Sequence, residues 1–169
     1  MATTYNIVAS DFIRRYINLV KETDINEALS KNGKTFRKLL NGIPAYKFDY
    51  SYATDKWTLK EVLQHVIDAE RVFSFRAIWF ARKDPSPLPG FEENDWAAVS
   101  HGSTRNWEDM IDEFRSLRKA TKFLFASFTD EELNYTGTAN NNQLSVAAIG
   151  FLCAGHIQHH MNIINERYL

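Results

Sequence analysis

Apolar residues recur along most of this chain at the three-and-four spacing of an α-helix, and period-two alternation is scarce. Ile25, Ala28, Leu29, Phe36, Leu39 and Leu40 form the stripe of a helix predicted over residues 24–41, which Gly42 and Pro44 close. Upstream, residues 5–22 carry enough apolar positions, Phe12, Ile13, Tyr16 and Ile17 among them, for a short leading helix over one end of the core. The second helix has the clearest start. Thr58 is a good N-cap and Glu61 stands three residues on, a capping box flanked by Trp57 and Val62. It is predicted from Leu59 to about Arg82, where Asp84-Pro85 stops it. A third helix spans Trp107 to Phe125, with Met110, Ile111, Phe114 and Leu117 on its apolar face. Thr129 to Glu132 is a second capping box opening a short turn, and the polar stretch 136–143 is predicted to be a loop. Ser145 caps a fourth helix that runs to near the C-terminus. One short and two long loops joining four such helices give an all-α fold, a four-helix bundle with long connecting loops.

Length and composition add boundaries. The 169 residues predict a single domain over 1–169, and 44% hydrophobic with 14% aromatic content predicts an interior rich in rings. Twenty basic and 21 acidic residues leave a formal charge of −1 with no block of one sign, so neither nucleic acid nor a membrane surface is an expected partner. Cys153 is the single cysteine, so no intrachain disulfide forms. Met1 to Tyr5 lack the basic and apolar regions of a signal peptide, and no apolar run approaches the ~20 residues of a membrane span, so the expected location is cytoplasmic.

Three of the five histidines fall in His156-Ile157-Gln158-His159-His160. His156 and His160 are spaced i, i+4, one turn apart on one helix face. They share the stripe of Ile149, Cys153, Ile163 and Ile164, whereas His159 turns about 100° away onto the stripe of Leu152 and Gly155. His65 lies in the second helix on the stripe of Val62, Ala69, Val72 and Arg76. His101 sits in a polar stretch and has no such context. Three inward imidazoles on two helices form a candidate metal site, with water in the remaining positions. The competing reading is three core histidines satisfied by hydrogen bonds. Cys153 is a weaker candidate for a fourth ligand, and buried, inert cysteine is the commoner case. Asp68, one turn after His65, could orient its imidazole or simply be solvated. Arg76 could bind an anionic group of a substrate or close a structural salt bridge.

Several ordered segments carry a resemblance. Trp57-Thr58-Leu59-Lys60-Glu61-Val62-Leu63-Gln64-His65, then Asp68-Ala69-Glu70-Arg71-Val72-Phe73, Pro87-Leu88-Pro89-Gly90-Phe91, Asp95-Trp96 and Ala154-Gly155-His156-Ile157-Gln158-His159-His160 together resemble the DinB-like, YfiT-related superfamily over nearly the whole chain. The resemblance implies a four-helix bundle with a divalent metal held by His65, His156 and His160, Zn²⁺ or Ni²⁺ being the expected ions. Two departures stand out. Glu92-Glu93-Asn94 replaces the Asp and Gln usual before the Asp-Trp pair, and Ala147 replaces a usual Arg.

The family includes metal-dependent hydrolases and thiol S-transferases, so the expected function is one of these two on a small-molecule substrate, a low-molecular-weight thiol among the candidates. The alternative is a non-catalytic bundle that binds metal or a small ligand, and a homodimer is left open. Three protein ligands with open positions is the catalytic pattern. Asp68 and Glu70 are the only acids near the trio in sequence that could act as a base, and their weakness as candidates favours thiol transfer. The segment Pro87 to Trp96 is expected at the mouth of the site through Phe91 and Trp96.

Overall fold

The computed structural model describes residues 5–169; the signal-peptide reading of Met1 to Thr4 lies outside the described residues. Four long helices build the bundle: α2 (Ile25–Asn41), α3 (Leu59–Ala81), α5 (Trp107–Ser127) and α7 (Val146–Ile163). Short helices complete the set: α1 (Asp11–Ile17), α4 (Glu93–Val99) and α6 (Asp130–Leu133). Helices α2 and α3 each pack against both α5 and α7, so α5 and α7 take opposite corners, and α1 lies across α7.

Local chemistry sets the starts of these helices. Asp24, Asn106 and Ser145 each accept from a backbone N–H of the first turn with the side chain. Thr58 with Glu61 and Thr129 with Glu132 form complete capping boxes. Each such cap is worth about 1 kcal/mol, because it satisfies a donor the helix cannot.

The segment 136–143 departs from the expected loop. Strands β1 (Thr136–Ala139) and β2 (Asn142–Ser145) form an antiparallel hairpin with Ala139 opposite Asn142. Its turn places Asn140 and Asn141 at positive φ, 49° and 58°, a conformation asparagine tolerates and hairpin turns require. The hairpin pins the chain that leaves α3: Leu88 N–H donates to the Thr138 carbonyl at 2.9 Å, and Asn140 N–H donates to the Leu88 carbonyl at 3.0 Å. Helix α4 is a second unforeseen element, started by the Glu92 carboxylate accepting from Asn94 N–H.

The core has two apolar clusters. One gathers Leu29, Phe73, Phe80, Phe125 and Leu152; the other gathers Phe36, Leu63, Met110, Phe114 and Met161. Glu70 and Arg118 bridge α3 and α5, and Arg118 reaches the Leu29 and Cys153 carbonyls of one cluster and the Phe114 ring of the other. Past Ile163 the backbone loosens into one π-helical turn, Ile164–Tyr168, whose buried Tyr168 hydroxyl donates to the Trp57 carbonyl at 2.6 Å. That bond ties the end of α7 to the start of α3. No helix among the described residues is long and apolar enough to cross a membrane.

Candidate metal centre

The tie between α7 and α3 brings three imidazoles together. His156 Nε2 lies 3.1 Å from His65 Nε2 and 3.2 Å from His160 Nε2, and one nitrogen from each ring falls within 4.8 Å of the others. His156 and His160 are buried, and His65 is half-buried. Burial pushes the His65 imidazole down to about 4, with the His159 charge adding to it. It pushes His156 and His160 well below their ordinary value, each imidazole also disfavouring charge on its neighbours. All three are therefore neutral at physiological pH, the state that coordinates a metal. Nitrogens held about 2.0–2.1 Å from one ion stand roughly 3 to 3.4 Å apart, so the two close spacings fit a shared cation. His160 Nδ1 is buried without a hydrogen-bond partner. Hydrogen bonding therefore leaves this cluster incompletely satisfied.

A cavity of about 260 Å³ opens onto the trio. Phe73, Leu152, Phe91 and Tyr16 supply aromatic and apolar wall, and Arg76, Glu93 and Asn140 supply polar groups. Tyr16 reaches it because α1 packs directly on α7 at Gly155. A Cβ on that glycine would collide with the Tyr16 carbonyl, so only glycine admits this crossing. Phe91 stacks obliquely on Trp96, ring centroids 4.5 Å apart, and both line a small recess beside His65 and Asp68. The segment after α3 therefore borders the trio, as expected.

Other expectations change. His159 lines the same cavity as the trio rather than turning away, its ring 5.2 Å from those of Tyr16 and His160. The stripe argument fails here because α1 crosses α7 at Gly155 and sets the Tyr16 ring against His159. Asp68 does not hold His65. It accepts from Gln64 Nε2 at 3.0 Å and faces Arg71, in a chain of polar contacts that continues through Glu113 and Arg105. Burial raises its carboxyl above the usual range. Glu70 is no base for this site: both its oxygens bind Arg118, and Thr121 donates to Oε1. Cys153 is buried outside the trio, with burial raising its thiol and its carbonyl accepting from Arg118. His101 is exposed at a left-handed turn, φ 55°. Glu93 was singled out in the sequence only as a departure from the usual residues, not as a candidate base. It lies on α4 yet borders the main cavity, the small recess and a third pocket beside His160. The signal for it was its departure from the usual residues before Asp95-Trp96.

Residues 28–164 match the family model described as the DinB superfamily. None of the curated proteins matches the chain. Among solved structures, YfiT from Bacillus subtilis superposes with a TM-score of 0.69 at 16% identity, covering 93% of this chain and 86% of its own. It is described as a probable metal-dependent hydrolase with an unusual four-helix bundle topology. The mycothiol-dependent maleylpyruvate isomerase superposes with a TM-score of 0.66 at 12% identity; this chain covers 58% of that longer one, with 88% of its own length matched. At these identities the likeness is one of fold.

Proposed function

We propose that this chain, which belongs to the DinB superfamily, is a metal-dependent enzyme that activates a small nucleophile against an electrophilic small molecule. The observation that carries the reading is the convergence of three neutral imidazole nitrogens, from His65, His156 and His160, in the lining of a cavity. These residues would hold one divalent ion, Zn²⁺ or Ni²⁺, whose affinity for imidazole suits the donor set. Bound there, such an ion lowers the pKa of a water or thiol beside it and polarises a carbonyl.

Hydrolysis is the first reading, because the cavity holds bases that the sequence alone did not place. Glu93 and His159 line the cavity that opens onto the trio, and Glu93 is the carboxylate there that could accept a proton from a nucleophilic water. Phe73, Phe91 and Leu152 limit bulk water around the reacting groups. Thiol transfer is the second reading. The apolar wall favours it, since a thiol with an organic tail gains from burial there. The similarity in fold to a mycothiol-dependent enzyme also supports it.

The test is to load the protein with Zn²⁺ and assay amide and ester panels without thiol, and in parallel low-molecular-weight thiols with monochlorobimane. Turnover without thiol establishes hydrolysis, and turnover that requires thiol establishes transfer. Silence in both panels from protein carrying one ion per chain overturns the enzymatic reading in favour of a binding bundle.

A further inference from the structure

Arg76 is a buried cation without a counterion. It retains 8% of its exposure, yet no carboxylate lies within ion-pair distance among the described residues. Its one hydrogen bond runs from Nη2 to the Pro89 carbonyl at 2.9 Å, and the face of Phe91 lies 6.0 Å from the guanidinium carbon. The chain's other buried arginine, Arg118, shows what a structural guanidinium looks like here: both Glu70 oxygens and two backbone carbonyls surround it. Arg76 has one carbonyl, and it lines the cavity that opens onto the trio. A buried charge left unpaired is costly, so a site that keeps one is built for a partner that arrives with the opposite charge.

We propose that Arg76 is an anion subsite, and that the small molecule reaching the trio carries a carboxylate. This rests on the function proposed above and names its substrate class. The planar fork still has donors free, and a carboxylate matches them with two parallel hydrogen bonds. One guanidinium balances a single negative charge. That single charge matches a carboxylate better than a phosphate dianion. The Pro89 bond fixes the guanidinium, and the hairpin fixes the segment carrying Pro89 through the Leu88 pairing. The subsite is therefore formed before the ligand arrives, which lowers the ordering cost of binding.

The experiment compares 3-mercaptopropionate with its neutral amide, 3-mercaptopropionamide, by calorimetric titration into the Zn²⁺-loaded full chain, with zinc content measured on each sample. The acid should bind about tenfold tighter or more than the amide. That ratio should fall to near one in Arg76→Gln and stay intermediate in Arg76→Lys, with zinc content unchanged. A merely structural role for Arg76 would weaken both probes alike and leave the ratio standing, and chelation of zinc by the acid would survive in Arg76→Gln. A wild-type ratio near one, or a ratio that Arg76→Gln does not change, overturns the proposal, and the first needs no variant to fold. The same pair titrated without added metal separates the two readings. A carboxylate preference in protein that takes up no zinc sinks the metal centre and leaves the subsite. Full zinc uptake with no preference sinks the subsite alone.

Discussion

Glu70 grips Arg118 with both carboxylate oxygens, Oε1 to Nε at 2.9 Å and Oε2 to Nη2 at 2.7 Å, and Arg118 touches both apolar clusters of the bundle. Both side chains are almost wholly buried. Removing one partner strands the other charge in the interior. Glu70→Ala should cost about 3–5 kcal/mol, whereas a Glu70→Leu, Arg118→Met double replacement should cost much less. Urea denaturation of the three proteins checks this; equal losses would show that the pair is no closed unit.

Metal uptake should reach about one divalent ion per chain. His65→Ala, His156→Ala and His160→Ala should each abolish tight binding, while His159→Ala should keep it, because His159 borders the cavity but is not one of the three converging rings. Elemental analysis after dialysis against Zn²⁺ or Ni²⁺ reads the outcome. A protein that loses its ion only with His159 would refute the assignment.

Acid should destabilise the protein once metal has been stripped by a chelator. His65 sits at about 4 in the fold against 6.5 unfolded, and His156 and His160 are lowered too. As pH falls the unfolded chain takes up these protons first. The stability is thus whole above pH 6.5 and drains away as pH drops towards the folded values. Melting temperature recorded from pH 7.5 to 5 should fall, and less so in His156→Asn. A flat profile would mean that the rings are already free to protonate.

Gly155→Ala should push α1 off α7, since the new methyl meets the Tyr16 backbone. A loss of about 1–3 kcal/mol is expected from such overpacking. The pocket wall that Tyr16 provides should loosen with it, seen as weaker binding of an apolar thiol at unchanged zinc content. Unaltered stability would place α1 elsewhere in solution.

Glu93→Gln should leave metal content intact and lower turnover of a hydrolysed substrate by about 10²-fold or more, the usual share of a positioned base. If thiol transfer is the reaction, the same variant should change the rate little. Loss of metal in Glu93→Gln would instead make Glu93 a ligand.

Much of this protein was legible before folding was considered. The four long helices announced themselves through apolar period, and two of them through caps, because both are local: Thr58 with Glu61 and Ser145 satisfy backbone donors a few residues away. The i, i+4 spacing of His156 and His160 likewise follows from helix geometry alone, and the resemblance to the DinB superfamily matched the architecture that the structure shows. What the sequence could not decide depends on contacts between distant segments. The β1–β2 hairpin exists because Asn140 and Asn141 accept positive φ and Leu88 pairs beside them, signals too weak to read locally. His159 joined the cavity because α1, crossing at Gly155, closes over a face of α7 that periodicity assigned elsewhere. Glu70, sequence neighbour of the trio, was taken by Arg118 from 48 residues away. Arg76 stayed unpaired and Glu93 came to border the cavity on a short helix. Charge pairing and burial are properties of three-dimensional neighbours, and only the tertiary structure says which charges find a partner and which are left facing the site.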